Sequence, residues 1–118
     1  MSKPTNPDFL NGVPELLVLH LLARTPMHGY EVVRAIAHAT GERLAFGEGS
    51  IYPVLHRLER DGLLASKREE VGNRSRIVYR VTAAGKKRLA ASASAWAEVV
   101  AAVSRALHGG TDGHPALA

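Results

Sequence analysis

The chain has no cysteine, which removes disulfides, thiolate nucleophiles and thiolate metal sites together. Aromatics are scarce: three Tyr, two Phe and one Trp among 118 residues, so the core must be built mainly from aliphatic side chains. No apolar run approaches the ~18 residues needed to span a bilayer, and no membrane partner is expected. Residues 1–11 are polar and rich in turn formers, without the apolar stretch that leads secreted chains, so a cytoplasmic location is the expectation. Catalytic pairings are missing too. The acids are scattered and no serine stands in a plausible triad with a histidine, so neither an enzyme nor a cofactor is expected. The histidines (His20, His28, His38, His56, His108 and His114) are nowhere paired at zinc-ligand spacing, and no metal site is expected.

At this length the chain makes one domain with a small core. Its net charge of +4 is modest, but the placement is uneven. Residues 56–88 hold ten of the fifteen basic residues and four acids, a net of +6. The remainder carries five bases against seven acids, a net of −2. A basic band on a near-neutral body is the footprint of a polyanion-binding face.

The window from Gly49 to Leu64 is the most informative. At 100° per residue, Ile51, Val54, Leu55 and Leu58 share one side of a helix, and Tyr52, Pro53, His56, Arg57 and Arg60 share the other. Pro53 is accommodated in a first turn, where amides lack internal partners, and this places the helix start between Gly49 and Tyr52. Alone, the window fits either an ordinary amphipathic helix or one made to enter a DNA groove. The residues after Gly62 favour the groove. There the period changes to two, with Leu64, Ser66 and Arg68 alternating with Leu63, Ala65 and Lys67. Turn residues Gly72-Asn73-Arg74-Ser75 come next, and then Ile77, Tyr79 and Val81 share one face. This predicts a β-hairpin, and a helix followed by a basic-tipped hairpin is the order of a winged helix-turn-helix.

The expected architecture is therefore mainly α (α+β): a winged helix-turn-helix with a two-stranded wing and a long C-terminal dimerisation helix. A flexible arm (1–12), with Phe9 and Leu10 as its candidate anchors, precedes the DNA-binding domain (13–82). Pro14 opens a first helix that is apolar at nearly every position from Leu16 to Ala23 and is expected to be buried on most sides. A second runs from about Tyr30 to Ala39 with Tyr30, Val33, Ile36 and Ala37 on one face. Thr82 is a good N-cap for the last helix (83–108), where Gly85 allows close packing against the hairpin. Leu89, Ala93, Trp96, Val100, Val103 and Leu107 recur there at steps of four and three, a heptad seam suited to pairing with a second copy. Gly109-Gly110 ends it, and a disordered tail (109–118) is expected.

Collinear elements carry a resemblance to the PadR family of transcriptional regulators, in its short form with one C-terminal helix. They are Glu15-Leu16-Leu17-Val18-Leu19, His28-Gly29-Tyr30-Glu31-Val32, Gly49 through Glu59 with its Tyr52-Pro53-Val54-Leu55 core, Gly62-Leu63-Leu64, and Arg76 through Gly85. The resemblance covers about residues 13–107. It implies a dimeric repressor that binds an inverted-repeat operator in double-stranded DNA and is released by a small aromatic or drug-like effector. Many members have an aromatic on the strand after Gly-Leu-Leu, where this chain reads Ala65-Ser66-Lys67-Arg68, so no particular effector is implied. The other functional reading is a winged-helix module for protein or RNA contact.

Candidate DNA contacts are Ser50, Tyr52, Pro53, His56, Arg57 and Arg60 on the helix, with Lys67, Arg68, Asn73, Arg74 and Arg76 on the wing. Ser50 either bonds phosphate or caps the helix, and Arg57 and Arg60 either read guanine or neutralise phosphate. Tyr52 is placed to reach phosphate, whereas the Tyr30 ring is expected in the core. Lys86, Lys87 and Arg88 oppose the dipole of the last helix, which hints at a role other than stability. Trp96, among the small Ala93, Val99 and Val100, either flanks an effector cavity or fills the dimer core.

Overall fold

The computed structural model describes residues 12–109. The expected arm with Phe9 and Leu10, and the tail beyond Gly109, lie outside the described residues. The elements run α1 (Val13–Arg24), β1 (Met27–His28), α2 (Gly29–Ala39), α3 (Glu48–Arg60), β2 (Leu64–Val71), β3 (Arg74–Val81) and α4 (Ala83–His108).

Helix α1 has Pro14 in its first turn and buries Val13, Val18, Leu19, Leu21 and Leu22. Helix α2 lays Val32 and Ile36 against it, and α3 adds Ile51, Leu55 and Leu58, all wholly buried. Leu63, Leu64 and Tyr79 close the core from the sheet side. Nearly all of this core is aliphatic, as a chain poor in aromatics requires.

Three expectations need correcting. Tyr30 is not in the core: it is 49% exposed, and its ring lies 5.8 Å from the Arg34 guanidinium carbon, a cation–π contact. At the α2–α3 corner Phe46 is buried in the core, and Tyr52 packs partly against it. Helix α3 starts at Glu48, with Gly47 as N-cap and no side-chain capping bond. Pro53 therefore sits in the second turn, and the Gly49 carbonyl lacks the N–H that another residue at 53 would donate. Finally, the sheet has three strands in the order β1-β3-β2, all antiparallel. The expected hairpin is there, but Met27 and His28 pair with Tyr79 and Val78 on its inner edge. Two residues are too few to show a period.

The hairpin also zips further than the turn residues suggest. Pairing continues to Val71 and Arg74, leaving Gly72-Asn73 as a two-residue turn and Glu69 opposite Arg76. Thr82 caps α4, its hydroxyl accepting from the Gly85 N–H at 3.0 Å and donating to the Gly62 carbonyl at 2.7 Å. The same side chain thus fastens the end of the wing to the turn after α3.

Burial raises the Tyr79 hydroxyl above its ordinary value of 10.0, and Glu59 and Tyr52 add to the shift. The fold favours the protonated phenol, so this contribution is present below that ordinary value and is lost as the pH rises through the raised one. We expect Tyr79→Phe to flatten the fall in stability above about pH 10, a region set by the unperturbed tyrosine value. Denaturant titrations of both proteins at neutral and alkaline pH measure this, and parallel loss of stability in the two refutes it.

Candidate nucleic-acid interface

Helix α3 presents Pro53, His56 and Arg60 to solvent at i, i+3 and i+7, opposite the buried Ile51, Leu55 and Leu58. The stripe continues backwards to the exposed Ser50. Ser50 does not cap the helix: it is the third helical residue, and its N–H donates to the Gly47 carbonyl at 3.0 Å. The His56 ring leans on Tyr52, with centroids 6.2 Å apart. Tyr52 in turn covers Gly29. A Cβ at residue 29 would meet the Tyr52 ring at 2.5–2.7 Å, so the missing side chain is what lets α3 lie against the start of α2. The α2 N-terminus is built to match. His28 and Glu31 form a reciprocal capping box, His28 Nδ1 accepting from the Glu31 N–H and the Glu31 carboxylate accepting from the His28 N–H.

The two arginines of α3 differ. Arg60 is exposed, with Asp61 at a loose 3.9 Å. Arg57 is occupied: its guanidinium donates to the Glu15 carboxylate of α1 at 3.1 Å. The second Glu15 oxygen accepts from Arg88 of α4, also at 3.1 Å. Sequence reasoning named Glu15 only as part of a family element and gave it no partner, although the cations opening α4 were a signal that something acidic had to face them.

On the wing, the register sorts the cations by face. Tyr79 is buried, so Leu64, Ser66, Arg68 and Glu70 lie on the core side with Ser75, Ile77, Tyr79 and Val81. Lys67, Arg74, Arg76 and Arg80 share the outer face. Arg68 is therefore set apart from the other candidates, and it donates to the Ser75 hydroxyl at 3.0 Å. Asn73 is exposed in the turn at the tip. Arg80, which was not among the expected contacts, joins the outer row. Glu59 at the end of α3 accepts from the Ser66 hydroxyl of β2, fixing the helix relative to the wing.

Helix α4 leaves the domain. Leu89, the first residue of the expected seam, packs partly against its own core. Beyond it, Ala93, Trp96, Val99, Val100, Val103 and Leu107 are exposed, Trp96 by 43% and Leu107 by 68%. An open cavity of about 280 Å³ lies between the start of α1 and the middle of α4. It is lined by Gly12, Val13, Leu16, Ser92, Ala95, Trp96 and Val99. Trp96 and Val99 thus come together as candidate effector contacts, while Ala93 and Val100 do not line this space. Among the described residues no cluster of acids and histidines suits a metal ion, and no helix is long and apolar enough to cross a membrane.

A helical core, an exposed third helix, an adjoining hairpin and a projecting C-terminal helix define a winged helix-turn-helix protein. The profile of the transcriptional regulator PadR-like family matches residues 18–91. The chain belongs to that family, whose members are transcriptional regulators and not enzymes. It is 39% identical over 82 residues to the transcriptional regulator Rv3488 of Mycobacterium tuberculosis, a match that covers 70% of this chain and 74% of that protein. Among solved structures it resembles a transcriptional regulator from Clostridium thermocellum, with a TM-score of 0.78, 26% identity, and coverage of 84% of this chain and 97% of that one. A PadR family transcriptional regulator from Eggerthella lenta is similar at a TM-score of 0.75 and 30% identity, over 85% of this chain and 86% of the other.

Proposed function

We propose that the protein is a cytoplasmic, homodimeric repressor that binds an inverted-repeat operator in double-stranded DNA and is released by a small planar aromatic effector. One observation carries the DNA reading: the exposed stripe of α3 adjoins a wing whose outer face gathers Lys67, Arg74, Arg76 and Arg80. Pro53, His56 and Arg60 would meet base edges, with Ser50 and Tyr52 at the phosphates beside them. The wing cations and Asn73 would hold the flanking backbone. Arg57 and Arg68, engaged by Glu15 and Ser75, take supporting places. A module for protein contact would show an apolar patch here, and the side chains that α3 exposes are polar apart from Pro53.

Dimerisation rests on the apolar side chains that α4 leaves in solvent, and the repressor role follows the family resemblance. The effector reading rests on the cavity beside Trp96. Its ligand must bind the free and operator-bound dimers with different affinity in order to act, and Trp96→Ala should abolish the ligand's effect while the dimer survives.

Selection of bound sequences from random duplexes tests the central reading. We expect an inverted repeat with half-site centres about 34 Å apart, and affinity that falls steeply with salt. Arg74→Ala should weaken binding about equally on all sequences and lower the salt slope by about one. Arg60→Ala should relax the preference at particular base pairs at a cost of about 1–3 kcal/mol. Salt-insensitive binding, or no effect from either substitution, would show that the face is wrongly assigned.

A further inference from the structure

Glu15 stands on α1, yet its carboxylate is divided between two other helices. One oxygen accepts from Arg57 of α3 and the other from Arg88 of α4, each at 3.1 Å. Ion pairs on helices commonly join neighbours one turn apart and contribute little. These join residues 42 and 73 positions apart in sequence. The Glu15 side chain is only 20% exposed, while Arg57 and Arg88 are 42% and 47% exposed, so water is held back mainly at the shared carboxylate. The connection matters because of what the two helices do. In an operator-binding dimer, α3 sets where a half-site is met and α4 sets where the partner subunit stands. The same bond keeps a guanidinium adjacent to His56 turned away from the exposed stripe.

We infer that Glu15 is a positioning residue for the reading of two half-sites: its carboxylate fixes the recognition helix to the base of the dimerisation helix and withholds Arg57 from the DNA backbone. This rests on the operator-binding reading. One bridge has two effects. The angle between α3 and α4 is held, so a dimer accepts one half-site spacing and rejects its neighbours. One cation of the basic band is also already neutralised, so it releases no counterion when DNA binds.

The test uses the full chain and duplexes in which the selected half-sites are moved apart in single base-pair steps, across a range of salt. The wild-type protein should prefer one spacing by at least about fivefold, the lower end of usual coupling between sites. Glu15→Gln keeps the shape and removes the charge. It should reduce that preference to less than about twofold and steepen the salt dependence by about 0.9 in logarithmic slope, as Arg57 reaches a phosphate. Arg88→Gln, at the rim of the domain, should also flatten the spacing preference, but without a steeper salt slope, because Glu15 still holds Arg57. Arg88→Lys should restore most of the preference.

Wild-type spacing and salt dependence in Glu15→Gln, even with a lowered melting temperature, would overturn the inference and leave Glu15 a structural ion pair. If that variant does not fold, Arg88→Gln decides by itself, and unchanged spacing there has the same meaning. A wild-type protein that binds none of the duplexes overturns the operator-binding reading and this inference with it. Binding without any dependence on Glu15 or Arg88 overturns the inference alone.

Discussion

Val103→Asp is expected to convert the protein to a monomer at micromolar concentration and to weaken operator binding by about a hundredfold or more, as loss of a second tethered module does. Val103 lies four residues past Val99, which lines the cavity against α1, and is half exposed together with Trp96, Val100 and Leu107. A carboxylate there cannot be buried against a second apolar helix without a partner charge. In the monomer the same side chain faces water, so the domain itself should melt as before. Light scattering gives the mass, and titration of a single half-site separates lost pairing from a damaged DNA face. An intact dimer in this variant would mean that the seam is not where the copies meet.

Gly85→Ala is expected to be strongly destabilising for so small a substitution. In a solvated helix, replacing Gly by Ala gains up to about 1 kcal/mol. At residue 85 the sign reverses. A Cβ would run into the Leu63 carbonyl oxygen and come within 2.8 Å of the Val81 side chain. The oxygen cannot retreat easily: it accepts the Thr82 N–H at 3.1 Å, and the Leu63 N–H is itself bonded to the Leu58 carbonyl at 2.9 Å. Overpacking against fixed backbone should cost at least about 2 kcal/mol, which lowers the melting temperature of a domain this size by roughly 8 °C or more. Gly49→Ala is the control, since a Cβ there meets nothing within 4 Å, and it should leave stability unchanged or slightly raised. Calorimetry at matched protein concentration compares them, and a Gly85→Ala melt equal to wild type would show that α4 can shift away from the hairpin without cost.

Much of this architecture was legible because the relevant signals are local. The 3.6-residue stripe of Ile51, Leu55 and Leu58, the change to period two after Gly62, the Gly72-Asn73 turn and the Thr82 cap each lie within a few residues. A local pattern determines which side of an element is apolar and where it ends. It also identified Pro53, His56 and Arg60 as solvent-facing and the distal α4 residues as an unpaired stripe. Gly85 was readable as a close approach, although not which atom it approaches.

Tertiary structure decided which neighbour arrives at each side. Tyr30 and Tyr52 are both amphipathic aromatics near α2, and only the packing of α3 over Gly29 places Tyr52 against the core and leaves Tyr30 outside. Arg57 and Arg60 stand on the same half of one helical wheel, yet α1 brings Glu15 to the first and not to the second. Lys67 and Arg68 are adjacent cations whose separate faces follow from the burial of Tyr79 and the strand register. The β1 pairing is only two residues long, and it sets the start of α2 beside β3. Periodicity specifies a residue's orientation on its own element, whereas partners 42 and 73 positions away are chosen by how the elements pack against one another.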